Sequence, residues 1–172
     1  MRSTVAVMDT GVLCCWLEVP GKETANSGRN RWDNARANAE IDRVTGAGGT
    51  IILPNSVIVE TARFISQAPR SRRVKAEQLL DRAVASLGPV TPWRNFSEFE
   101  RLWNKDWYET ARQQWPNFAD RGVSLTDYSV ISIVRYYREI GITCEILTTE
   151  NSLSDCVADL EVLQIANQRP RR

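Results

Sequence analysis

Four short apolar runs punctuate this chain, and helical patterns fill the spaces between them. Thr4–Met8 (TVAVM), Thr50–Leu53 (TIIL), Ile142–Leu147 (ITCEIL) and Leu160–Ile165 (LEVLQI) are too short for buried helices and read as strands. A helix begins at Thr10–Trp16, directly after the first run. Asn30–Thr45 carries Ala35, Ala39, Ile41 and Val44 at roughly helical spacing, and Gly46, Gly48 and Gly49 stop it. Pro54-Asn55-Ser56 gives breaker and cap chemistry ahead of a Val57–Ser66 helix. Ser71–Ser86 has Val74, Leu79, Leu80, Ala83 and Leu87 making most of its stripe. Phe96–Trp115 reads as one long helix with Phe99, Leu102, Trp103 and Trp107 on one side, ended by Pro116. Ser124–Ile140, capped by Ser124 and stopped by Gly141, presents Val130, Ile131, Val134, Tyr137 and Ile140. Ser152–Val157 is a short helix. Strands alternating with helices predict an α/β fold: three layers, α/β/α, around a mostly parallel sheet of four to five strands.

With 172 residues and no internal repeat or composition shift, a single domain over residues 1–168 is expected. An extra helix lies in an insertion at about 18–48, and residues 169–172 form a basic tail with Arg169, Arg171 and Arg172 around Pro170. Lys+Arg 22 against Asp+Glu 21 leaves a net charge of +1, so any anionic partner must be met by local patches. No apolar run reaches the roughly 20 residues of a membrane helix, and no charged segment with a long apolar core opens the chain. A cytoplasmic protein without a membrane partner is expected.

Histidine is absent. That excludes Ser-His-Asp and Cys-His catalysis and every metal site that needs imidazole. Acid/base work falls to carboxylates, Lys, Tyr, Cys or metal-bound water. Cys14, Cys15, Cys144 and Cys156 contain no C-x-x-C spacing and read as small buried hydrophobes.

Open parallel sheets bind ligands at the carboxyl ends of their strands. Asp9 follows the first strand, and Glu60 lies about two turns into the helix after the second. Asp127 is in the first turn of the Ser124 helix, where it is also placed to serve in an N-terminal cap. Glu150 follows the Ile142–Leu147 strand, with Asp155 just beyond. Carboxylates brought together repel by roughly 4 kcal/mol per pair at 4 Å and an effective dielectric of 20. No Lys adjoins these acids in the local sequence. Hard oxygen ligands without imidazole or thiolate suit Mg²⁺ or Mn²⁺.

Four blocks in order resemble the PIN-domain family of metal-dependent ribonucleases. They are Val5-Ala6-Val7-Met8-Asp9-Thr10, Leu53-Pro54-Asn55-Ser56-Val57-Ile58-Val59-Glu60, Val123-Ser124-Leu125-Thr126-Asp127 and Ile146-Leu147-Thr148-Thr149-Glu150. The resemblance spans nearly the whole chain. It implies a metal-dependent endoribonuclease that hydrolyses RNA phosphodiesters, with Asp9, Glu60, Asp127 and Glu150 catalytic. Metal contact is implied for Asp9, Asp127 and Glu150, with Asp155 as a further ligand if Glu150 does not serve. Glu150 stands where the family usually has Asp. Thr10 takes the small polar position after the first acid. The family's commonest small members in bacteria are toxins of toxin–antitoxin pairs, so the resemblance implies a protein antitoxin or inhibitor as partner and a homodimer.

The basic run Arg70, Arg72, Arg73 and Lys75 is either a solvated helix start or a contact for the phosphate backbone. The Trp-rich segment (Trp93, Trp103, Trp107, Trp115) reads first as core, then as a partner groove, then as a base-stacking surface. Two alternatives stand beside the nuclease: a catalytically degenerate PIN-like binding module or complex subunit, and a haloacid-dehalogenase-like phosphatase. Met8-Asp9-Thr10-Gly11-Val12-Leu13 resembles the opening motif of the phosphatases, with Gly11 where they need a second Asp.

Overall fold

Two central strands set the architecture. β1 (Thr4–Met8) is buried from Val5 to Met8, and β2 (Thr50–Pro54) from Ile51 to Pro54. Strands covered on both faces need apolar side chains on both, so they read as continuous apolar runs. In the computed structural model, residues 4–88, 92–96 and 101–158 are described. The sheet has four strands in the order β3-β2-β1-β4, with β3 at Trp93–Phe96 and β4 at Thr143–Leu147. All three pairings are parallel: Val5 opposite Thr50, Thr4 opposite Thr143, and Ile51 opposite Trp93. The chain steps outward from β1 through β2 to β3 and then returns to the other side of β1. Right-handed crossovers therefore put the early helices on one face and the later ones on the other, giving the expected three-layer α/β/α fold.

On the first face, α1 (Thr10–Leu17) packs against α2 (Asn34–Gly46), α3 (Asn55–Gln67) and α4 (Arg72–Leu87). The segment at about 18–48 contributes α2, which contacts β1 and β2. Asp33 caps α2, accepting from Arg36 N–H at 3.0 Å. On the second face, α6 (Leu125–Glu139) contacts β1 and β4, and α5 (Lys105–Ala119) packs on α6. Residues 151–158 are helical. Among the described residues, no helix is long and apolar enough to cross a membrane. All four cysteines are buried and unbridged.

The structure departs from the sequence reading in three places. Phe96 ends β3 instead of opening a helix, and α5 starts at Lys105 because the Asn104 side chain caps it, accepting from Trp107 N–H at 2.8 Å. Pro116 sits inside the last turns of α5 and does not end it. The apolar stripes are also shifted. On α4, Leu79 is buried, while Val74, Leu80, Val84 and Leu87 are more than half exposed. On α2, Ala37, Ile41 and Val44 are buried, while Ala35 and Ala39 face solvent. Ile140, the C-cap of α6, is exposed. Phe99, the Leu160–Ile165 strand and the basic tail lie outside the described residues.

Candidate functional site

The return of the chain from β3 to β4 makes the carboxyl ends of β1 and β4 the point where the strand order reverses. Crevices open at such points. Asp9 N–H donates to Leu147 O at 3.0 Å, which ties the two strand ends together. A cleft of about 660 Å³ opens there, and Asp9, Glu60, Asp127 and Glu150 all line it.

Each acid is positioned by its own element. Asp9 is only 2% exposed. Its Oδ1 accepts from Thr10 N–H at 2.6 Å, and its Oδ2 accepts from Thr148 Oγ1 at 2.9 Å. Thr10 donates from Oγ1 to Glu60 Oε2 at 2.8 Å, linking α1 to α3. Asp127 belongs to a capping box: Ser124 N–H and Oγ both donate to its Oδ2, at 3.0 and 2.7 Å, and its own N–H donates to Ser124 Oγ. Asp127 Oδ1 and Glu60 Oε1 accept no hydrogen bond among the described residues. Glu150 sits at the cleft mouth, exposed, its backbone N–H donating to Thr148 Oγ1 at 3.0 Å. The Thr148 hydroxyl thus joins Asp9 to the Glu150 backbone.

Burial pushes the Asp9 carboxyl up to about 7, and the neighbouring Asp127 and Glu150 add to the rise against the lowering effect of its two hydrogen bonds. The Glu150 carboxyl is also raised, by desolvation first and then by Asp127 and Glu60. The acids therefore sense one another's charge. Both shifts mark groups short of positive charge, which is a signature of functional sites more than of structural ion pairs.

The chain matches no family model, no curated protein and no solved structure. The chemistry of the site must be read from its own residues.

The cleft offers hard oxygen donors only, the type that suits Mg²⁺ or Mn²⁺ by chemistry, with one oxygen each of Asp127 and Glu60 accepting no hydrogen bond among the described residues. Among the described residues, no three acid or thiol side chains lie close enough together to hold a metal ion. The carboxylates line the cleft as separate groups.

The remaining sequence candidates fall elsewhere. Asp155 is exposed on the 151–158 helix and does not line the cleft, whereas Asn151 and Ser152 do. Arg70 is 3.9 Å from Glu23, Arg72 donates to Ala68 O, and Arg73 pairs with Glu77 at 2.9 Å. None of the three lines the cleft. Three participants escaped the sequence reading. Thr148 is the hydroxyl bridge already described. Lys22 brings a cation to the cleft from the loop before α2, its Nζ 4.6 Å above the Phe64 ring. No local pattern announces that contact, because it depends on how the loop folds back. Asn26, in a left-handed conformation, donates to Thr149 O at 2.6 Å and fixes the wall beside Glu150.

Proposed function

We propose that this chain is a metal-dependent endoribonuclease of PIN type that hydrolyses RNA phosphodiesters. The observation that carries the reading is the gathering of Asp9, Glu60, Asp127 and Glu150 in one cleft at the switch point of a parallel sheet. The four sequence blocks that resemble the family supply these four residues in order. Asp9 and Asp127, joined by Glu150, would hold Mg²⁺ or Mn²⁺, with Glu60 assisting. When bound there, such an ion would supply water activation and charge neutralisation at the phosphate.

The protein's own residues do the rest. Thr148 and the Thr10 amide keep Asp9 in one orientation. The capping box holds Asp127 with Oδ1 free. Thr10 holds one oxygen of Glu60 and leaves the other. Lys22 places a positive charge on the wall, where a phosphate oxygen is attracted.

The same reading carries a bacterial toxin's biology, with a protein antitoxin as the partner covering the cleft. A degenerate binding module is the second reading. Two observations favour it: among the described residues no three acids cluster closely enough to hold a metal ion, and Glu150 is exposed. The phosphatase reading is disfavoured at Gly11. A Cβ there would lie 2.1 Å from Thr149 Oγ1, so the position has no room for the second Asp that mechanism needs.

The deciding experiment is cleavage of mixed RNA by the purified protein in Mn²⁺, Mg²⁺ and EDTA, beside Asp127→Asn. We expect cleavage only with the metals and a loss of at least about 100-fold in the variant, since the change removes charge and keeps shape. Absent cleavage together with absent Mn²⁺ binding would move the chain to the binding-module reading.

A further inference from the structure

A separate cavity of about 490 Å³ opens between the carboxyl end of α1 and the face of α4 that carries Lys75, Gln78 and Arg82. Asp9 caps the start of α1 and Glu18 its end, so this cavity and the acidic cleft stand at opposite ends of one helix. Lys75 and Arg82 are seven residues apart, which places them two turns apart on one side of α4. Both are half-buried, whereas Glu18, Gln78 and Asp81 are exposed at the rim. Arg82 lies over two tilted rings: its guanidinium carbon is 4.8 Å from the Trp16 centroid and 4.7 Å from that of Trp93. Among the described residues its side chain makes no hydrogen bond and no ion pair, and its Nε is buried without an acceptor. Other arginines are matched by acids, as Arg43 is by Glu40 and Glu145 and Arg73 by Glu77. Desolvation lowers the Arg82 pKa from the ordinary arginine value. Two aromatic faces attract the cation and hold its plane, yet they supply no acceptor for its five N–H donors. Buried donors without a partner are rare enough that each calls for a physical reason.

We propose that this cavity binds a compact oxyanion, the carboxylate or phosphate group of a small molecule, held by the Arg82 guanidinium and the Lys75 ammonium. The site stands apart from the nuclease reading and does not need it. The anion meets Arg82 at its terminal nitrogens, because Nε is shut away from solvent. A guanidinium offers paired N–H donors that match a carboxylate or phosphate edge, and an ammonium adds a point charge. The rings hold the guanidinium in place beforehand, so little side-chain freedom is lost when the anion enters. A half-buried cation without an acceptor also gains more from an anion than a hydrated one does. Glu18 and Asp81 at the rim repel an extended polyanion, so one anionic group enters and a nucleic-acid backbone does not.

The test titrates the whole protein, in EDTA, with sodium phosphate and separately with sodium acetate. Ionic strength is held constant with sodium chloride, and chloride alone is the control. Two readouts are followed: the melting temperature, and the Arg82 Nε–H resonance in nitrogen-15 NMR. We expect a saturable shift of that resonance, and a rise in melting temperature of about 2–4 °C at fivefold over the Kd. The stronger of the two anions identifies the group the site takes. Arg82→Gln should weaken binding by at least about tenfold. Lys75→Gln should weaken it by about threefold, and it serves if the first variant fails to fold. Arg73→Gln removes an exposed charge from the same helix and should change nothing. A wild type that responds to neither anion beyond chloride overturns the site. So does a response that survives undiminished in folded Arg82→Gln, or one that falls as much in Arg73→Gln.

Discussion

Asp9 pays for its position with an uncompensated charge. Its folded value of about 7 stands above the ordinary 3.8, so between those values the folded chain holds a proton that the unfolded chain has released. The penalty on the ionised form is absent below pH 4, grows through the window from about 4 to about 7, and is complete above it. At 1.36 kcal/mol per unit it amounts to about 4 kcal/mol. We expect urea midpoints in EDTA to fall between pH 5 and pH 8. Asp9→Asn should remove most of that slope and be the more stable protein at pH 8. Mn²⁺ should raise the midpoint of wild type at pH 8 and do little for the variant. A flat wild-type profile would mean that burial does not raise the Asp9 carboxyl in the folded chain. The carboxylates were legible in the sequence because strand ends are where chemistry collects. Thr148 and Lys22 were not: a hydroxyl bridge and a folded-back loop leave no periodic trace.

At the scale of elements, the start of α1 is fixed by close approach. Gly11 lies so near Thr149 that Gly11→Ala must displace the Thr149 side chain. A misfit of this kind costs about 1–3 kcal/mol. We expect a lower melting temperature for Gly11→Ala and partial recovery in Gly11→Ala/Thr149→Ala, measured as a double-mutant cycle; additive losses would place the strain elsewhere. The elements that sequence reading found had strong local signatures. β1 and β2 are continuous apolar runs, and α6 begins with a capping box. β3 was missed for a physical reason. It is a four-residue edge strand in which Trp93 and Phe96 are buried while Arg94 and Asn95 between them are only half-buried, so it lacks both alternation and an apolar run. The α4 stripe misled for a different reason. Val74, Leu80 and Leu87 belong to the stripe by spacing, yet all three are more than half exposed.

For the whole molecule, stability is concentrated at the sheet's centre. The buried side chains of β1 and β2 are covered on both faces, whereas α4 buries only Leu79 and Ser86. Amide exchange should therefore be slowest in β1 and β2 and measurably faster along α4, as read by mass spectrometry under native conditions. Uniform protection would mean that the molecule opens only as one unit. The fold class could be inferred from strand–helix alternation alone. The strand order could not, because pairing partners depend on contacts between distant segments.

That order has a consequence in time. Asp9 lies at the end of the first strand, and the hydroxyl that holds it belongs to Thr148, 139 residues later. Ribosomes add about 5–20 residues per second, so a growing chain carries Asp9 for about 7–30 s before its partner exists. Through that interval β1 has no β4 beside it, and the wall bearing Glu150 has not been made. A truncated or stalled product lacking the β4 region holds only part of the cleft.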